Sequence, residues 1–318
     1  MSTLVDDREL ASSRDCPVVD GKRQVQHVAP RTADVGGIPV NRVLPSRHRR
    51  LVGAWCFLDH AGPAVFKGSS RGLRVGPHPH IGLQTFTWMI EGEVLHRDSL
   101  GNEQVIRPGQ VNLMTAGRGI SHTEASVAGD THLHAAQLWI ALPEADRHTD
   151  PRFDHYPDLP SWEEQGVAFT LLTGEFSDHR APTLAFSPLV GLDLFSREAT
   201  TVELSLREDF EYGVLPLEGE LDVEGDTFPP NELAYLGRGR DSVTLSLPDG
   251  GRAILVGGEP LGEEILIWWN FVGHSKAEIA EAQRDWETGS VRFGSVGEYD
   301  GERLMPPPLP WRLSDNGG

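Results

Sequence analysis

Two pairs of side chains in the first half of the chain have the types and the spacing to hold a metal ion. His78 and His80 stand two apart in GPHPHIGLQTFTW, and His122 and Glu124 stand two apart at the end of RPGQVNLMTAGRGISHTE. On a strand, residues two apart project from one face, and the β-rich composition around Gln84, Phe86 and Trp88 makes a strand the expected setting. Pro108-Gly109 marks a turn between the pairs. If the two strands face each other inside a barrel, three imidazoles and a carboxylate meet at one point and leave up to two positions of an octahedral ion open. Such an ion suits Fe(II), although Mn, Ni, Co and Zn accept the same donors. A substrate hydroxyl on the ion would lose its proton more easily, and Glu124 could take that proton as the catalytic base.

A lone HxH is weak evidence in a chain with thirteen histidines. A second such pair, His132 and His134 in THLHAAQLWIAL, has no HxE at hairpin distance and reads as wall or surface. The order HxH, strand, Pro-Gly turn, HxE is what sets the first pair apart.

The elements that must position these residues are strands. RQVQHVA, IPVNRVLP and LVGAWCFLDH read as strands punctuated by Gly and Pro. FLDHAGPAVFKGSSRGLRVG, residues 57–76, reads as a Gly-rich loop at the mouth of a barrel, with His60 bonded to its own loop backbone. TFTWMIEGEVLHRDS runs into a turn at Glu91-Gly92, and Asp98 to Asn102 form another. Gly117-Arg118-Gly119 allows close backbone approach to a neighbouring strand, and Arg118 is expected in an ion pair. Phe86, Trp88 and Met114 are candidates for a planar-substrate wall.

Leu142 to Gly166, rich in Pro, Asp and Glu, reads as a connection between domains. Beyond it the pattern recurs: LEGELDVEGDTFPPNELAYLGRGRDSVTL lies on IEGEVLHRDSLGNEQVIRPGQVNLMTAGRGISHTE, with Glu218-Gly219-Glu220 on Glu91-Gly92-Glu93. The places of the four candidate ligands are then taken by Ser205, Arg207, Ser242 and Thr244, a set that cannot bind a transition metal, so the second barrel is expected to be metal-free. The expected organisation is a flexible leader over residues 1–22, a metal-binding domain over 23–145, a linker over 146–166 and a second domain with helix and tail over 167–318. The helix is SKAEIAEAQRDWETG, with Ser275 as N-cap, Glu278 completing a capping box and Gly289 ending it.

Composition narrows the function classes. The 47 acidic residues outnumber 28 basic ones for a net charge of −19, a balance that repels nucleic acid and anionic membranes. The short basic cluster Arg47, Arg49 and Arg50 reads as a solvated loop. No apolar run approaches the roughly 20 residues of a membrane span, and the polar N-terminus has no signal-peptide core. Two cysteines, Cys16 and Cys56, suit a reducing compartment, so a cytoplasmic location is expected.

HPHIGLQT, EGEVLHRDSLG and PGQVNLMTAGRGISHTE, flanked by FLDHAGP and QLWIALP, closely resemble the metal-binding half of the pirin family of bicupins. The resemblance implies an all-β bicupin: two antiparallel double-stranded β-barrel (jelly-roll) domains with a short C-terminal helix. It places the family's iron ligands on His78, His80, His122 and Glu124. It implies quercetin 2,3-dioxygenase activity, cleaving a small aromatic or enolic substrate with O2; a monomer is expected. The alternative it carries is a regulatory protein whose metal state alters a surface for a protein partner. Where many relatives have Glu, this chain has Gln84, which on this reading removes a negative charge beside the metal.

Overall fold

In a computed structural model of the protein, the strand bearing His78 and His80 spans Arg74–His80, the strand bearing His122 and Glu124 spans Ile120–Ser126, and the two are hydrogen-bonded neighbours. The structure describes residue 16, residues 18–19, 22–66 and 72–311. Most of the expected leader and the last seven residues of the tail lie outside the described residues.

The first barrel is two antiparallel sheets. One runs Glu103–Ile106, Val94–Asp98, Ile120–Ser126, Arg74–His80. The other runs Arg152–Tyr156, Val111–Thr115, Leu83–Glu91, His132–Ala141, Trp55–Val65, Ile38–Leu44, Arg31–Val35. The second barrel repeats the plan, its smaller sheet ordered Thr200–Ser205, Ser242–Leu247, Leu221–Val223, Asp226–Phe228. Each barrel also takes a strand from the other side of the chain. Gln26–Val28 pairs with Leu233–Gly237 of the second barrel, and Arg152–Tyr156, out of the stretch read as a connection, pairs with Val111–Thr115 of the first.

The loop expected over residues 57–76 is overturned in its first half: Trp55–Val65 is one strand, held along its length by His132–Ala141. Gly62 does not break it, because the ladder shifts register between Leu133 and Ala135. Its φ is +92°, and a Cβ there would lie 2.1 Å from the Leu133 carbonyl oxygen, so only glycine fits.

The larger sheets pack back to back. Leu58, Phe86, Trp88 and Ile140 from the first barrel meet Leu215, Tyr235, Ile254 and Val256 from the second in one apolar cluster. Each such side chain contributes about 1.5–3 kcal/mol by leaving water. The strand Leu83–Glu91 is therefore buried on both faces. Phe86 and Trp88 face the other barrel, while Thr85, Thr87 and Met89 face the interior of their own.

The internal repeat holds at the level of register. Ser205 pairs with Ser242 in the second barrel just as His78 pairs with His122 in the first. The second interior is filled by Val202, Leu204, Val214, Leu221, Phe228 and Val243. The helix spans Lys276–Glu287, with Glu278 N–H donating to Ser275 Oγ at 3.1 Å and Glu278 Oε2 accepting from His274 N–H at 2.8 Å. It buries Ile279 and Trp286 against Ile81, Phe271 and Phe293. Because Ile81 follows His80, the helix braces the end of the strand that carries the candidate ligands His78 and His80. Among the described residues, no helix is long and apolar enough to cross a membrane.

Candidate metal centre

The two ligand strands converge as their spacing requires. His122 is the direct partner of His78, and Ile120 of His80, so the three imidazoles share one face of the sheet and point into the barrel. One ligand nitrogen from each of His78, His80 and His122 lies within 4.8 Å of the other two, the one such cluster of metal-binding side chains among the described residues. All three residues are buried.

Hydrogen bonding decides which nitrogen faces the cluster. His78 Nδ1 lies 2.8 Å from the Gly76 carbonyl oxygen and His80 Nδ1 2.9 Å from that of Asn270. A carbonyl only accepts, so both Nδ1 atoms carry the proton and both Nε2 atoms are left as lone pairs. For His122 the chain is one step longer. Its Nδ1 lies 3.3 Å from His96 Nδ1, and His96 Nε2 lies 3.1 Å from Asp98 Oδ2. Burial opposes ionisation of Asp98, but hydrogen bonds from His96 and Asn102 outweigh it and hold the carboxyl below its usual range. The carboxylate accepts a hydrogen bond from His96 Nε2–H, so His96 Nδ1 accepts from His122 Nδ1–H and His122 Nε2 is the third lone pair. His80 Nε2 and His122 Nε2 stand only 3.1 Å apart with no proton between them. Two facing lone pairs repel unless a cation joins them. With metal–nitrogen bonds of about 2.1 Å, adjacent donors of an octahedral ion sit about 3 Å apart, which matches. The donor set fits a divalent transition metal.

The electrostatics agree. Burial, and then the neighbouring charges, lower His78 to about 4 and push His80 and His122 well below their ordinary value, so all three are neutral at pH 7. Glu124 is raised by burial to about 7. It lines the same cavity, but its carboxylate stands outside the 4.8 Å cluster. The ladder slips between His122 and Glu124, setting Glu124 opposite Val75, and a bulge of this kind re-aims a side chain.

The cavity above the cluster encloses about 260 Å³. Phe57 and Trp139 form one wall, stacked at 4.0 Å, and the Trp139 ring lies 5.2 Å from that of His80. Arg42 holds Asp59 through two hydrogen bonds of 2.7 and 2.6 Å, and Thr87 donates to Gln137 Oε1 at 2.8 Å.

Several expectations are corrected. Phe86 and Trp88 lie in the core between barrels and Met114 packs with Leu83 and Ile120, so none of them lines the cavity. Gln84 also points away from the metal; its Nε2 donates to Thr115 Oγ1 at 3.0 Å and to the Leu184 carbonyl at 3.3 Å. His60 bonds not to its own loop but to Asn231 at 2.6 Å and to His134 at 2.8 Å, which buries His134 between the barrels while His132 stays exposed. Gly117 and Gly119 approach Thr149 and Phe293 instead of a neighbouring strand. Arg118 forms the expected ion pair, with Asp150.

The aromatic wall and the support of His122 carry fainter sequence signals than the ligand pairs. Trp139 and Gln137 were visible as alternate residues of QLWIALP, and His96 and Asp98 repeat the two-residue spacing of the ligand pairs. Nothing local marked Asn270, which comes from the far end of the chain.

Two antiparallel barrels of one plan, with a histidine cluster inside the first, define a bicupin. The family models described as Pirin and as Pirin C-terminal cupin domain match residues 37–140 and 192–294. A Pseudomonas aeruginosa protein provisionally named quercetin 2,3-dioxygenase is 60% identical over 314 residues, covering 98% of this chain and 99% of its own. A pirin-like protein of Caulobacter vibrioides is 37% identical, covering 85% and 96%. The crystal structure of a quercetin 2,3-dioxygenase from Acinetobacter baumannii superposes with a TM-score of 0.89 at 48% identity, over 91% of this chain and 97% of the other. The chain belongs to the pirin family.

Proposed function

We propose that the first barrel is a metal-dependent dioxygenase centre of the quercetin 2,3-dioxygenase type, with Fe(II) held by His78, His80 and His122 and with Glu124 as fourth ligand and base. The observation that supports this most is the convergence of three deprotonated Nε2 atoms beneath a stacked aromatic wall. Such an ion supplies Lewis acidity toward an enolic hydroxyl and a redox centre for dioxygen.

The chain's own residues do the rest. In the metal-free centre burial raises Glu124 to about 7; with the ion in place its carboxylate would be ionised and could take the proton of a flavonol hydroxyl. Trp139, backed by the stacked ring of Phe57, offers an apolar surface beside His80 suited to an aromatic ring. Arg42 neutralises Asp59, so the apolar wall carries no uncompensated charge, and the amide of Gln137 is left to meet a phenolic oxygen. At about 260 Å³ the cavity sits just under the usual range of ligand sites, about 300–1,000 Å³, which favours a compact planar molecule.

The test is anaerobic reconstitution with Fe(II), then addition of quercetin in aerated buffer while oxygen is monitored. Uptake that matches quercetin consumed and is lost in His122→Ala is expected. No uptake above background from protein carrying one equivalent of Fe(II) would retire the dioxygenase reading.

A further inference from the structure

The strands Leu266–Trp268 and Phe271–Gly273 pair with Trp268 opposite Phe271, leaving Trp269 and Asn270 as a two-residue hairpin turn. Turns of this length favour Gly, Asn or Asp where φ is positive, since a bulky side chain crowds the backbone there. Trp269 nevertheless has φ +52°. Among the described residues, five other non-glycines share the positive region, namely Gln165, Ser177, Glu224, Asn231 and Glu298. Trp269 is the one aromatic among the six and the one that lines the metal cavity. Backbone strain of this kind persists where the surroundings hold it in place, and it clusters at ligand sites.

The surroundings here are explicit. Trp268 Nε1 donates to Gln283 Oε1 of the helix at 2.8 Å, Phe271 is fully buried beside Ile81, and the carbonyl of Asn270 accepts from His80 Nδ1 at 2.9 Å. The turn is thus clamped on both sides of Trp269 and tied to a metal ligand. Its indole meets the Phe271 ring edge to face at 5.5 Å and remains partly exposed to the cavity it lines. Trp139 and Phe57 line the same cavity.

We infer that Trp269 is a substrate-binding residue of this centre, an aromatic clamp that closes a flat phenolic ligand against the Trp139 side of the cavity. The inference rests on the dioxygenase reading for its substrate class, while its geometry asks only for a planar aromatic ligand.

The test compares wild type, Trp269→Phe and Trp269→Gly, each loaded with Fe(II), by anaerobic calorimetric titration with quercetin. Glycine tolerates the turn, so Trp269→Gly is expected to keep full iron stoichiometry and a Tm no lower than wild type. Loss of the ring should weaken quercetin binding about fivefold to tenfold, whereas Trp269→Phe should stay within about twofold. Equal affinity in all three proteins overturns the inference. So does a Trp269→Gly protein that loses iron together with quercetin, since the turn would then act only through the Asn270 carbonyl. Wild type that binds no quercetin overturns it too. Binding without oxygen uptake removes the dioxygenase reading alone, and the comparison of variants still decides the clamp.

Discussion

Metal affinity should depend on pH through one proton, and that proton should belong to Glu124. Burial raises its carboxyl from an ordinary 4.5 to about 7, so below pH 7 the metal-free centre holds it protonated. His78 is lowered to about 4, and His80 and His122 are also low, so none of the three imidazoles competes for protons between pH 5 and 7. If Glu124 ligates, an entering ion must displace its proton anywhere in that window. Log affinity should then rise by one per pH unit from 5 to 7 and flatten above, a change of about hundredfold, or about 2.7 kcal/mol, across the window. In Glu124→Gln the slope should vanish and affinity at pH 8 should be lower. The assay is anaerobic calorimetric titration with Fe(II) at half-unit steps, corrected for buffer protonation. A slope of two would mean an imidazole titrates in the window. A slope that persists in Glu124→Gln would place the proton elsewhere and leave the carboxylate as a bystander, as its position outside the three-histidine cluster allows.

Three further outcomes are expected. Asp98→Asn and His96→Phe should each weaken Fe(II) binding by about 10- to 100-fold, because they free the tautomer of His122, and should shift the Fe(III)/Fe(II) potential measured by spectroelectrochemistry; the phenyl ring keeps the stack on Phe153, 4.2 Å away, so Tm should move little. Gln84→Glu should leave that potential unchanged, since the side chain faces the second barrel, but should lower stability by about 2 kcal/mol in chemical denaturation because a carboxylate cannot donate to the Leu184 carbonyl. Metal-free protein should lose stability as pH falls from 6.5 toward 4: His78, His80, His122, His60 and His134 bind protons more readily unfolded than folded, so each withdraws stability that is fully present above 6.5, whereas Glu124, held protonated in the fold, works the other way and offsets about one of them; a Tm flat over that range would contradict the burial of the histidines.

The ligand strands were legible because their signal is local. His78, His80 and His122 need only the two-residue period of a strand and one turn to be brought face to face, and both are written in short segments. The repeat was legible for the same reason, since Gly92 and Gly219 end equivalent strands with φ near +80° and tolerate no other residue there without strain. The position of Glu124 was less so: a slip of one residue in the ladder depends on both strands at once and leaves no mark in either. Trp269 and Asn270, some 190 residues from His80, reach the centre only through tertiary packing.

The misplaced aromatic wall has a more instructive cause. A half-buried sheet is read by assigning its apolar face to the interior, which puts Phe86 and Trp88 inside the barrel. Here the strand Leu83–Glu91 has two interiors, one between barrels and one inside its own. The large apolar side chains go to the flat contact between sheets, where area removed from water stabilises most. The barrel interior keeps an open cavity, and the smaller Thr85 and Thr87 line it beside the histidines. Polarity alternates along the strand as it would on an ordinary surface sheet, but with the sense reversed. In the second barrel the strand Glu211–Glu218 lies between the same two environments, and there the inward face carries Val214 among aliphatic neighbours and packs solid. What separates a barrel that can host chemistry from one that only supports it is therefore the character of the inward face. That difference becomes readable once the contact between barrels fixes which face is inward.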